Sequence, residues 1–147
     1  MAVIAYLNFK TESREAVKFY EEALDGYDVR IMTLGELPED SEFPMDEATK
    51  ALIANASVKF AGGMIMLSDV PEGMGMTFTP GNNFCVSIVI KDKVLAEKYF
   101  NNLAAGGQVI MPLMEVSWSP LYGALKDKFG ITWQVNVAED DYYFTYK

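Results

Sequence analysis

The chain has 147 residues, half of them hydrophobic, with 21 acidic and 12 basic side chains and a formal net charge of −9. That length suits one compact domain or two small halves sharing a core. The acidic balance lacks the clustered Lys and Arg on which phosphate binding draws, which argues against nucleic acid as a partner.

There is no histidine. Its absence removes the commonest general base, the commonest catalytic metal ligand and every Ser-His-Asp or Cys-His arrangement. No apolar run approaches the roughly 20 residues needed to span a bilayer, and "MAVIAYLNF" lacks the basic segment and cleavage site of a secretory signal. The single cysteine, Cys85, permits no intramolecular disulfide. These features predict a cytoplasmic protein without a membrane partner.

In chain order, "VIAYLNF" alternates and is rich in β-formers, which predicts a strand. From Ser13 to Leu24 the positions Ala16, Val17, Phe19, Tyr20, Ala23 and Leu24 recur at helical spacing, with Thr11 or Ser13 as candidate caps and Gly26 as a stop. "YDVRIMTL" reads as a second strand. Residues 35–50 are acidic with two prolines and predict a surface excursion, with a short helix near Met45–Ala51. "ALIANASVKF" and "MIMLSDV" read as a hairpin turning at Ala61-Gly62-Gly63. A Gly- and Pro-rich loop, "PEGMGMTFTPGNN", follows. The pattern then restarts with "FCVSIVIK", a helix in "DKVLAEKYFNNLAAGG" with Val94, Leu95, Tyr99, Phe100 and Leu103 on one face, and strand material in "QVIMPLMEVSW", "YGALKDKFG" and "ITWQVNV".

The restart is an internal repeat. Phe19-Tyr20 and Tyr99-Phe100 lie 80 positions apart, as do Gly26 and Gly106, and Val29 and Val109. Met66 and Gln134 lie 68 apart, and the difference is the size expected if residues 35–50 carry an insertion absent from the second half. Two β-α-β-β-β modules in tandem account for the spacing, module one at about 1–70 and module two at about 84–137, with a tail at 138–147.

That tandem order, with "AYLNF…SREAVKFYEEAL" (5–24), "VKFAGGMIMLSD" (58–69) and "MPLMEVSWSPLYGALKDKFGITWQVNV" (111–137), resembles the vicinal oxygen chelate superfamily of glyoxalases, bleomycin-resistance proteins and dioxygenases, and within it the PhnB-like branch. The last block carries most of the likeness, through Pro112, Glu115, Trp118, Tyr122-Gly123, Asp127-Lys128-Phe129-Gly130 and Trp133. The resemblance implies an α+β fold of two tandem βαβββ modules in one domain, forming cup-shaped, partly barrel-like mixed sheets with helices outside. It also implies a homodimer. Metal-dependent members carry four ligands on the cup, and those slots fall near Ala5 or Leu7, at Met66, at Cys85 and at Gln134. Ala and Leu have no donor, Met is soft and Gln is a neutral oxygen donor, a set that matches no one metal. The resemblance therefore implies no metal and no cofactor here. The branch often has His where this chain has Asn55.

The candidate ligand-binding residues are Met66, Cys85, Glu115, Trp118, Tyr122 and Gln134. Met64, Met66, Met74 and Met76 suit an adaptable apolar surface, or equally ordinary core filling. Trp118 with Tyr122 offers an aromatic wall. Glu115 is the one candidate acid or base, or a plain surface carboxylate. Cys85 is either a nucleophile or a small packed residue between Phe84 and Val86. "GMGMTFTPG" precedes no helix, so it is neither a dinucleotide fingerprint nor a P-loop, and it gives a methyltransferase no cofactor turn. In "GITWQVN", Ile131, Trp133 and Val135 should pack toward the helix while Thr132, Gln134 and Asn136 face the cup. The aromatic tail "AEDDYYFTYK" should dock on its own domain or across a dimer. The expected function is metal-independent binding of a small apolar or aromatic molecule. The alternatives are a lyase- or isomerase-type enzyme of the same superfamily acting on a small oxygenated substrate, and a structural or interaction role with a vestigial pocket.

Overall fold

The computed structural model describes residues 1–73 and 75–145, arranged as two compact units, Met1–Thr79 and Pro80–Lys147. The first unit runs β1 (Ala5–Phe9), α1 (Ser13–Ala23), β2 (Tyr27–Thr33), a 3₁₀ turn (Leu34–Glu36), the short α2 (Glu47–Lys50), β3 (Ile53–Phe60) and β4 (Gly63–Asp69). The second runs β5 (Val86–Ile90), α3 (Lys93–Ala104), β6 (Gln108–Val116), β7 (Ser119–Lys126) and β8 (Thr132–Val137).

The repeat predicted by subtraction is visible in the topology. The first sheet has the order β1-β4-β3-β2 and the second β5-β8-β7-β6. In each, the first strand lies parallel to the last, and the other pairs are antiparallel. Met66 and Gln134 occupy corresponding strands, β4 and β8. The result is a mixed α+β fold of two open four-stranded sheets.

Each sheet buries one face under its helix because alternate residues are apolar. Leu7, Phe9, Ala56, Val58, Phe60, Ile65 and Leu67 cover the packed face of the first sheet, all at most 6% exposed. Against β3 and β4 lies α1, whose Ala16, Val17, Tyr20 and Ala23 are buried. A fully buried side chain of the Leu24 kind is worth about 1.5–3 kcal/mol over leaving it exposed. In the second unit Val86, Ile88, Leu125, Trp133, Val135 and Val137 meet Ala96, Tyr99, Phe100 and Leu103 of α3. Val94 does not join them. It is 77% exposed, because it sits in the first turn of α3 beyond the sheet, and Ala96 takes the inward position.

Neither Thr11 nor Ser13 caps α1. Glu12 holds the cap position without a side-chain bond, and the Ser13 amide instead donates to Oδ1 of Asp69 at 2.9 Å. The other oxygen of Asp69 accepts from the Ile53 amide at 2.8 Å. One buried carboxylate at the end of β4 thus holds the starts of α1 and β3, placing negative charge where the helix N-terminus favours it. Helix α3 of the second unit is capped locally, by Asp92 accepting from the amides of Val94 and Leu95. The tail docks on its own unit. Ala138 donates to the Ile90 carbonyl, Asp141 pairs with Lys91, and the Lys91 ammonium lies 5.3 Å from the centre of the Phe144 ring. Among the described residues no helix is long and apolar enough to cross a membrane.

Candidate functional site

The alternation of β8 sorts Trp133 and Val135 from Gln134 and Asn136 as expected, while Ile131 lies just before the strand and is half-buried. Trp133, Val135 and Val137 are at most 1% exposed on the packed face. On the other face, β8 pairs Gln134 with Ser87 and Ala124, and Asn136 with Val89 and Tyr122. The register carries these rows to β6, where Met111 stands opposite Ala124 and Met114 opposite Tyr122. Directly opposed residues in a sheet share a face, so the open face of the second unit carries Ser87, Gln134, Asn136, Tyr122, Met111 and Met114.

Trp118 belongs to the turn between β6 and β7, and its ring meets that of Tyr122 edge-on, with centroids 5.4 Å apart. Trp118 is 64% exposed, so this aromatic pair extends the face toward solvent rather than into the core. Glu115 is exposed on β6. Cys85 is half-buried immediately before β5, and the β5 residue paired with Gln134 is Ser87. The second unit therefore brings Gln134, Tyr122 and Trp118 together. Glu115 and Cys85 stand at its borders.

Asn136 is the unusual member. It is 9% exposed, and its Oδ1 has no hydrogen-bond partner among the described residues. Leaving a buried amide oxygen unsatisfied costs about 1–3 kcal/mol. The other buried polar side chains of this unit are well served. Ser119 donates to the Val137 carbonyl at 2.8 Å, and Asp127 accepts from Phe129, Ile131 and Trp133.

On the first sheet, the residues sharing a face with Met66 are Tyr6, Ser57 and, one strand further, Arg30. The adjacent rows add Asn8, Ser68, Asn55 and Met32. Asn55 Nδ2 donates to the Tyr6 hydroxyl at 3.1 Å, and the Ser68 hydroxyl donates to Asn8 Oδ1 at 3.4 Å. Ala5 and Leu7 are not on this face. They pair with Ile65 and Leu67, and Leu7 is 3% exposed in the core. The first-strand slot inferred from the resemblance is thus one residue out of phase, and β1 offers Tyr6 and Asn8 instead. Asn8 was the available signal, as the only polar residue in an otherwise apolar strand.

At the β2 edge, Asp28 sits between Lys59 and Arg30. The hydrogen bond from Lys59, then that from Arg30, holds its carboxyl below the ordinary value. Amides, hydroxyls and thioethers otherwise line both open faces. Among the described residues no three His, Cys, Asp or Glu side chains gather into a metal-binding group. Hard divalent cations require anionic oxygen ligands, and softer ones require imidazole or thiolate. Neutral amides, hydroxyls and thioethers match neither donor class well.

Comparison with known proteins returns the same architecture. The family model for 3-demethylubiquinone-9 3-methyltransferase matches residues 1–136. Protein YjdN of Escherichia coli (strain K12) is 27% identical over 146 residues, covering 95% of this chain and 97% of the relative. The crystal structure of protein PA1353 from Pseudomonas aeruginosa superposes with a TM-score of 0.80 at 30% identity, covering 95% of this chain and 99% of that one. The PhnB protein from Bacillus cereus gives 0.67 at 25% identity, covering 94% and 100%. More remote glyoxalase/bleomycin-resistance and fosfomycin-resistance structures share the fold alone.

Proposed function

Because this chain belongs to the 3-demethylubiquinone-9 3-methyltransferase family and has the glyoxalase-like fold of the vicinal oxygen chelate superfamily, we propose that it is a metal-independent binding protein for a small apolar or aromatic molecule. The observation that carries this reading is the open face of the second sheet. There the Trp118–Tyr122 pair stands beside the uncharged amides Gln134 and Asn136 and the thioethers Met111 and Met114. Small-molecule surfaces combine apolar and aromatic area with a few placed polar groups in this way. The ligand-binding set of the second unit is then Gln134, Tyr122 and Trp118, with Cys85 and Glu115 at the margin, and Met66 is the candidate on the open face of the first sheet, within its own unit.

Methyl transfer finds no anchor in these residues, since the glycines at 73, 75 and 81 lead into strand β5 rather than into a helix N-terminus. Glu115 is exposed and stands alone as the acid or base of a lyase or isomerase. A homodimer in the cytoplasm completes the reading. The exposed apolar residues Ile31 and Met32 of the β2 edge and Val109 and Ile110 of the β6 edge support the dimer, and the lone thiol supports the compartment.

Elemental analysis after mild purification, with divalent metals added back, tests the metal-free claim, and stoichiometric retained metal refutes it. A thermal-shift screen with aromatic metabolites tests binding, because a ligand selective for the folded state raises its stability by mass action. A flat response across such a library refutes the binding role. Light scattering on a sizing column reads the mass of the assembly.

A further inference from the structure

We infer that Asn136 reads the ligand on the second sheet, and that this ligand is an uncharged aromatic molecule carrying an O–H or N–H donor. The inference rests on the reading of that face as a binding surface. Asn136 stands between Val135 and Val137, at 0% and 1% exposure, with its side chain on the opposite face of β8. It is itself 9% exposed with Oδ1 unpartnered among the described residues. Buried polar groups without partners are few in folded proteins, and each calls for a physical explanation. The other such atom among the described residues, Ser13 Oγ, lies at the start of α1, on the helix side of the first sheet.

The neighbours of Asn136 specify the chemistry. Tyr122 lies directly across on β7, and Trp118 closes on Tyr122 edge-to-face, so a flat ring seated against this pair brings a substituent to the Asn136 row. Among the described residues no hydrogen bond holds Asn136 Oδ1, so turning the amide about its soft terminal torsion to meet that substituent breaks none at that oxygen. Asn55 on the first sheet differs, being tied to Tyr6. The row Val89–Asn136–Tyr122–Met114 contains no carboxylate and no cation. An ammonium or carboxylate buried there would lose its hydration without a counter-charge, which selects a neutral donor.

Phenol and anisole differ at one position in that donor and serve as probes. Titrated into the ¹⁵N-labelled full chain, phenol should shift the Asn136 side-chain amide and the Trp118 indole signal, and should bind about tenfold more tightly than anisole. Asn136→Leu should abolish the difference between phenol and anisole, both measured on the variant, and raise the thermal midpoint of the ligand-free chain. Should that variant fail to fold, the phenol–anisole comparison on the wild-type chain decides. Equal affinity for the two probes overturns the inference and leaves the binding surface in place, and so does a lower midpoint in ligand-free Asn136→Leu, which would give the amide a structural role. Absence of any shift up to the solubility of both probes overturns the surface and the inference together.

Discussion

The indole N–H of Trp133 donates to Oδ2 of Asp127 across 2.9 Å, with the two side chains 0% and 3% exposed. The other oxygen accepts from the amides of Phe129 and Ile131, at 2.9 and 3.0 Å. One carboxylate therefore organises the whole turn between β7 and β8 and orients the largest side chain of the second core. Asp127→Ala leaves three N–H groups without that partner, one of them deep in the core. It should cost about 3 kcal/mol or more of stability. A urea midpoint that falls at unchanged slope reads this directly, and a loss below about 1 kcal/mol contradicts the role.

The two tryptophans report on different regions. Trp133 is sealed in the core and Trp118 is 64% exposed beside Tyr122. Trp118→Phe should leave an emission maximum shifted to the blue and nearly insensitive to acrylamide, with stability within about 0.5 kcal/mol of the parent. Strong residual quenching would mean that the Trp133 pocket opens readily. The same variant should weaken any ligand seated on the aromatic pair.

Close approach of α3 to its sheet depends on Gly123. A Cβ there would lie 2.7 Å from Phe100 Cε2, 3.0 Å from Leu113 Cδ2 and 3.1 Å from the Met111 carbonyl oxygen. Gly123→Ala should destabilise the protein by about 1–3 kcal/mol through this overpacking. Adding Phe100→Leu should recover part of the loss, since it removes the nearest ring. Equal stability of wild-type and Gly123→Ala protein, by thermal or chemical unfolding, contradicts the contact.

Asp28 gives a pH dependence of definite sign. Lys59 and Arg30 hold its carboxyl below the ordinary 3.8 in the folded chain. A group depressed on folding contributes stability above its unfolded pKa, and that contribution is lost as pH falls through the folded one. The effect is thus present at neutral pH and vanishes in the acid range below 3.8. An NMR titration should place the Asp28 midpoint below that value and move it upward in Lys59→Met. Added salt should shrink the difference, because the pair is open to solvent. A wild-type midpoint at or above 3.8 refutes the pairing.

The sequence reveals this architecture where its signals are local or periodic. Strand β8 alternates cleanly, so the faces of Trp133 and Gln134 follow from period two alone. The spacing of Ala16, Val17 and Tyr20 marks α1, and constant offsets expose the repeat. What escapes is set by long-range partners or by phase. Asp69 reaches Ser13 across 56 positions, and no local pattern announces a cap supplied from so far away. Strand β1 is apolar at nearly every position, which hides which alternate set faces outward and puts Ala5 in place of Tyr6. Bulges between Tyr27 and Arg30 and between Met111 and Met114 shift register on the edge strands, so counting along β2 and β6 does not predict which residues join the open faces. The orphaned oxygen of Asn136 is a property of packing, visible only once its neighbours are in place.

The parallel pairing of first and last strands also sets an order of events during synthesis. Ala5 pairs with Ile65, and Val86 with Trp133, so neither sheet can be completed until the final strand of its unit has left the ribosome. That strand enters the middle of the sheet, between β1 and β3 or between β5 and β7. Before it arrives, two bare strand edges face each other across a gap, the condition in which a nascent chain is most exposed to wrong pairing. The first unit passes through this stage while the second is still being made, and β8 is the last strand set in place.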